Sequence, residues 1–205
     1  MKIYLVRHGE TEWNSRLLFQ GHSDISLNSA GRRQAARICG FLKEDPPEVI
    51  VSSDLKRAYE TALIIKKGLA HKPSVIKEYS FRERSYGNLE GKQYMEKAGP
   101  FEFTGETDFS FFRRVKRVMK RFVSEYAGRY ETAAVITHGG VIRGIVRNML
   151  KIPGLNYRHI RLYNASVTEL FYDEKKKYFY LTLLNSISHL SKADRAKAEF
   201  HIKGV

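Results

Sequence analysis

Ile3-Tyr4-Leu5-Val6 is apolar for only a few residues before the chain breaks into Arg7-His8-Gly9-Glu10-Thr11. So short a run, stopped by polar residues, reads as a buried strand over residues 2–6 that ends in a polar turn. The pattern recurs twice. Val49-Ile50-Val51 gives way to Ser52-Ser53-Asp54-Leu55-Lys56-Arg57, and residues 133–136 give way to Thr137-His138-Gly139-Gly140. Helical periods lie between these strands. Leu27, Ala35, Ile38 and Leu42 predict a helix over 29–44, stopped by Asp45-Pro46-Pro47. Ser53 or Asp54 is the expected cap of a second helix over 55–69. Phe112, Val115, Val118, Met119, Phe122 and Tyr126 mark one face of a third over 108–127, and 140–150 is a fourth. Further strands are expected at 74–77, 166–172 and 178–184. Strands alternating with helices imply an α/β fold: a three-layer α/β/α sandwich around a largely parallel, mixed sheet. Residues 82–107 show no clean period and carry several glycines, so they read as a long loop of the kind that carries function. The domain is expected to span 1–190, followed by a basic, poorly ordered tail over 191–205.

Composition narrows the function classes. With 205 residues, 42% of them hydrophobic, the chain can build a real core, which excludes a disordered or disulfide-stapled protein. Cys39 is the single cysteine and reads as a small core filler, leaving no disulfide and no cysteine zinc site. Arg7-His8 interrupts the first apolar run too early for a signal peptide, and no stretch is long enough to span a bilayer, so a cytoplasmic protein without a membrane partner is expected. The net charge of +14 favours an anionic partner. Arg113, Arg114, Lys116, Arg117, Lys120 and Arg121 lie opposite the apolar stripe of their helix and are expected to form a solvated face. No groove or aromatic platform for nucleic acid is visible. His22, His71, His159, His189 and His201 fall at no metal-ligand spacing, so no metal is expected.

In an open α/β sheet ligands bind at the carboxyl ends of the strands, so the three polar clusters should converge. Their convergence brings together His8, His138, Arg7 and Arg57. A neutral imidazole can attack phosphorus, and arginines can clamp phosphate oxygens bidentately. Gly139-Gly140 opens a helix whose free N–H groups add an anion site.

These residues also carry a resemblance. Arg7-His8-Gly9-Glu10-Thr11-Glu12-Trp13-Asn14 is similar to the signature of the histidine phosphatase superfamily, the phosphoglycerate mutase-like family. The likeness continues in order through Gln20-Gly21-His22-Ser23-Asp24, the segment 52–58, Arg82-Glu83-Arg84-Ser85-Tyr86-Gly87, Glu90-Gly91, Gly105-Glu106-Thr107, Thr137-His138-Gly139-Gly140 and Asn164-Ala165-Ser166. It implies that His8 is the nucleophile and becomes a phosphohistidine. Arg7, Arg57 and His138 would surround the phosphoryl group, helped by Asn14 and the Gly139 backbone. Glu83 would protonate the leaving group and then act as base. No cofactor or metal is implied, because fixed cations supply the charge stabilisation.

Some assignments stay open in the sequence. Glu78 and Glu90 share the irregular region with Glu83 and compete for its role. Gln20 and Gly21 line the substrate pocket or form a turn, and Tyr86 meets substrate or packs on the loop. Only about twenty residues separate Gly87 from Thr107, too few for the basic insertion of cofactor-dependent mutases. A short lid leaves a phosphohistidine open to water, which favours a metal-independent phosphomonoesterase for a small anionic metabolite. A 2,3-bisphosphoglycerate-dependent phosphoglycerate mutase is the alternative, because Glu83-Arg84-Ser85-Tyr86-Gly87 resembles the mutase form of that segment. An inactive phospholigand or nucleic-acid binder is a third reading, disfavoured because every expected catalytic residue is present. Family members are often dimers, so a homodimer is an open option.

Overall fold

Strand β1 (Lys2–Arg7) takes the middle of the sheet because it is apolar on both faces: Ile3 and Leu5 enter one hydrophobic cluster, Tyr4 and Val6 the other. Strands β2 (Val49–Ser52) and β4 (Thr132–Thr137) divide in the same way, with Val49, Val51, Ala133 and Val135 on the first side and Ile50, Ala134 and Ile136 on the second. The computed structural model describes residues 1–94, 102–150 and 159–203. With β3 (Ser74–Lys77), β5 (Val167–Asp173) and β6 (Tyr178–Ser186), the six strands run in the order β3-β2-β4-β1-β5-β6. The first four pair in parallel, β5 runs antiparallel to β1, and β6 antiparallel to β5.

After the short helix α1 (Glu12–Ser15), α2 (Ser29–Leu42) and α3 (Lys56–Gly68) pack on one face through Ile38, Leu42, Ala58 and Ile65. Helices α4 (Asp108–Tyr126) and α5 (Gly139–Leu150) cover the other face through Val115, Phe122, Ile142 and Ile145. The expected three-layer sandwich with a largely parallel, mixed sheet is therefore what forms. The chain crosses one face to lay down β2 and β3, then returns over the other to insert β4 beside β1. That reversal opens a crevice at the carboxyl ends of β1, β2 and β4.

Two local expectations fail. Neither Ser53 nor Asp54 caps α3. Leu55 holds the N-cap position without a side-chain cap, and Lys56 N–H donates instead to Asp24 Oδ1 at 2.7 Å. Ser53 Oγ is drawn inward to the His138 ring. In place of a poorly ordered tail, α6 (Lys192–Lys203) forms a helix in which Lys197 Nζ lies 2.8 Å from both carboxylate oxygens of Glu10. A partner 187 residues away cannot be read from local polarity.

Candidate active site

His8 follows the last residue of β1 and is almost fully buried. Its Nδ1 lies 2.7 Å from the Gly9 carbonyl, which can only accept. Nδ1 therefore carries the proton and Nε2 is left with its lone pair. The His138 ring stands 5.1 Å away, centroid to centroid, its Nε2 bound to Ser53 Oγ at 2.9 Å. Burial, reinforced by the Arg57 cation, holds both imidazoles well below the ordinary histidine range, so both are neutral at pH 7.

Arg57 is fully buried. Its Nη1 and Nη2 donate to the carbonyls of Ser23 and Gly21, both at 2.8 Å, while Nε has no hydrogen-bond partner. Arg7 donates to the Leu162 carbonyl and also keeps an unpartnered, buried Nε. Burial pulls Arg57 down to about 10 and lowers Arg7 as well, which leaves Arg57 charged at neutral pH. Among the described residues neither guanidinium has a carboxylate in ion-pair contact. Buried cations without counterions favour a bound oxyanion strongly. Inorganic phosphate is thus expected to raise the thermal unfolding midpoint, by the equivalent of about 2.7 kcal/mol at a hundred times its Kd. Differential scanning fluorimetry checks this; a midpoint indifferent to phosphate contradicts it.

A cavity of about 320 Å³ opens on these groups. It is lined by Arg7, His8, Asn14, Gln20, Gly21, Arg57, Glu83, Tyr86 and Gly139, all named from the sequence, while His138 touches the His8 ring without lining the cavity. Asn14 Oδ1 accepts from Thr11 and Asn164, which turns the amide nitrogen into its remaining polar end. Gln20 is buried, with Oε1 on Thr11 Oγ1, and its carbonyl accepts from Ser23 N–H at 2.9 Å, so it lines the wall and also opens the turn at Gly21.

The three candidate carboxylates separate clearly. Glu78 caps a short 3-10 turn through Ser80 N–H and pairs with Arg121, away from the cavity. Glu90 accepts from His22 N–H, Ser23 N–H and Tyr86 N–H, tying the loop around Gly21 to the Tyr86 segment. Burial raises its pKa, but those donors outweigh burial and keep the group below the ordinary glutamate value. Only Glu83 lines the cavity. Its two oxygens accept from Arg84 N–H and Gly140 N–H, both at 2.9 Å. A Cβ at Gly140 would stand 2.1 Å from Glu83 Oε1, so glycine is required there for the approach.

Sequence reasoning missed Phe19, Tyr94, Arg143, Arg161 and Leu162 in the same wall. Phe19 packs between Tyr86 and Tyr94, with centroids 4.8 and 4.6 Å away. Tyr86 thus packs and also lines the cavity. Arg143 reaches this cavity and an adjoining one of about 440 Å³, with its Nε buried and unpartnered. Its place three residues after Gly140 on α5 was the one available signal. Arg161 sits in an aperiodic segment that gave none. The solvated basic face on α4 also needs correction. Arg113, Lys116, Arg117, Lys120 and Arg121 are exposed as expected, Arg121 also pairing with Glu78, but Arg114 turns inward onto Glu106. Among the described residues no cluster of three His, Cys, Asp or Glu could hold a metal ion, and no helix is long and apolar enough to cross a membrane.

The family model of the histidine phosphatase superfamily (branch 1) matches residues 3–185. The chain belongs to that superfamily. Among its relatives, phosphoglycerate mutase-like protein 4 of Arabidopsis thaliana is 38% identical over 188 residues, covering 80% of each chain. A metal-independent phosphoserine phosphatase of the same plant is 34% identical over 207 residues, covering 93% of this chain and 83% of its own. A phosphoserine phosphatase mutant from Entamoeba histolytica, solved in complex with phosphoserine, superposes with a TM-score of 0.80 at 27% identity, covering 93% and 99%. This histidine phosphatase therefore shares its architecture with relatives that are named phosphatases.

Proposed function

We propose that the protein is a phosphomonoesterase that hydrolyses a small anionic metabolite through a phosphohistidine on His8, with no metal. The observation that carries this reading is the neutral His8 in a cavity that also presents the buried Arg57 guanidinium, the half-buried Arg7 and the Glu83 carboxyl. Nε2 of His8 attacks phosphorus as the bond to the leaving oxygen breaks. Arg7, Arg57 and the Gly139 N–H stabilise the charge on the three equatorial oxygens, with His138 beside the His8 ring, held on Ser53. Glu83 gives its proton to the departing oxygen and becomes a carboxylate. The Gly9 carbonyl, on the Nδ1 proton, steadies the charge that phosphorylation places on the ring. In the second half-reaction Glu83 takes a proton from water, the resulting hydroxide attacks phosphorus, and phosphate leaves with His8 restored. Asn14 and Gln20 orient the phosphoryl group, Tyr86 and Phe19 form the wall beside it, and Arg143 offers a further cation at the mouth. A second anionic group on the substrate fits that arrangement, as do the phosphoserine phosphatases among the relatives.

The test is release of phosphate from p-nitrophenyl phosphate and phosphoserine in EDTA, beside 3-phosphoglycerate with and without 2,3-bisphosphoglycerate. EDTA-resistant hydrolysis without formation of 2-phosphoglycerate is the expected result. Bisphosphoglycerate-dependent isomerisation with little phosphate release would make the protein a mutase instead.

A further inference from the structure

We propose that Arg114 is a positioning residue for Glu83, holding the acid–base carboxyl in register with the phosphoryl pocket from helix α4. The inference rests on the role given to Glu83 above. Residues 83–86 belong to no strand or helix, so their backbone groups have no ladder to fix them. Arg114 supplies donors at the start of this stretch and in the turn before it. Its Nη1 donates to the carbonyls of Ser80 at 2.9 Å and Arg82 at 2.8 Å, and its Nη2 to the Glu83 carbonyl at 3.1 Å.

The guanidinium is itself aimed by Glu106, whose oxygens accept from Nε at 3.0 Å and from Nη2 at 2.7 Å. This pair is far from an ordinary surface ion pair, since the two side chains are only 20% and 17% exposed. His22 Nε2–H donates to the same Glu83 carbonyl from the other side, at 2.9 Å. The backbone of Glu83 is therefore gripped between α4 and the loop around Gly21, while its carboxyl group rests on Gly140 N–H. Arg114 lines neither cavity of the site, so its hydrogen bonds reach the reaction through the Glu83 segment and not through substrate. A planar fork with five donors is needed to span three carbonyls and a carboxylate, and lysine cannot replace it.

A group that positions the general acid matters only where the leaving group needs a proton. Phenyl phosphate releases a basic phenolate, whereas 2,4-dinitrophenyl phosphate releases an anion that leaves without one. Arg114→Met and Arg114→Lys are compared with wild type on both esters in the full-length protein, with Glu83→Gln alongside. Loss of general acid catalysis in Glu83→Gln is expected to lower kcat/KM for phenyl phosphate by about 10²- to 10⁴-fold. Arg114→Met is expected to lower it by about 10- to 100-fold, and the dinitrophenyl ester by less than about 3-fold, the signature of a displaced acid. Arg114→Lys keeps the charge and the packing of the stem, and is expected to show the same selective loss, so it carries the test if the methionine variant does not fold. Equal losses on the two esters, or no loss on either, overturn the proposal. If Glu83→Gln itself shows no selectivity, the acid assignment is what has failed, and the proposal falls with it.

Discussion

His8→Ala loses hydrolysis by at least about 10⁴-fold and can no longer be trapped as an acid-labile phosphoenzyme. The size of the effect follows from geometry. Among the groups in the cavity wall only the His8 ring combines a free lone pair with a neutral state at pH 7. Arginine cannot attack phosphorus, and Glu83 is committed to the proton. His138 is neutral too, but its Nε2 is tied to Ser53 and it stands outside the wall. No neighbour can therefore substitute. The variant keeps Arg7 and Arg57, so inorganic phosphate should still raise its unfolding midpoint. Retained binding with lost turnover separates a missing nucleophile from a misfolded site. Hydrolysis that survives in His8→Ala would sink the phosphohistidine mechanism outright.

The fold and most of the pocket could be read from the chain because the deciding features are local. Strands β1, β2 and β4 are buried on both faces, so each appears as an apolar run, and each run ends in the polar cluster that the topology brings to the crevice. What escaped reading depends on partners distant in sequence. Periodicity could place Arg114 only on the polar side of α4; that it turns onto Glu106 and the carbonyls near Glu83 depends on the path of an aperiodic loop. Glu78, Glu83 and Glu90 look alike in the sequence, and only their donors tell them apart. Helix α6 has weak amphipathic character of its own and is anchored by Lys197 on Glu10, at the far end of the chain. Arg143 could have been found from its spacing to Gly140, whereas Arg161 could not.

Replacing Arg57 with methionine removes the most deeply buried cation while roughly keeping its volume. Loss of one donor aimed at developing charge costs about 2–4 kcal/mol of barrier, so kcat/KM should fall by about 30- to 1,000-fold. A second consequence has a definite sign. His8 must be neutral to attack, and its pKa lies well below 6.5 because of burial first and the Arg57 charge second. Removing that charge leaves burial in place but lifts part of the penalty on imidazolium, so the His8 pKa rises. The acid limb of the kcat/KM profile then moves to higher pH in Arg57→Met, while wild type holds its activity below the ordinary histidine range. The phosphate-induced rise in unfolding midpoint shrinks as well, because one of the two guanidinium groups proposed to bind the anion is gone. A profile that loses rate without moving its acid limb would mean that burial alone keeps His8 neutral. An unchanged response to phosphate would remove Arg57 from the anion site altogether.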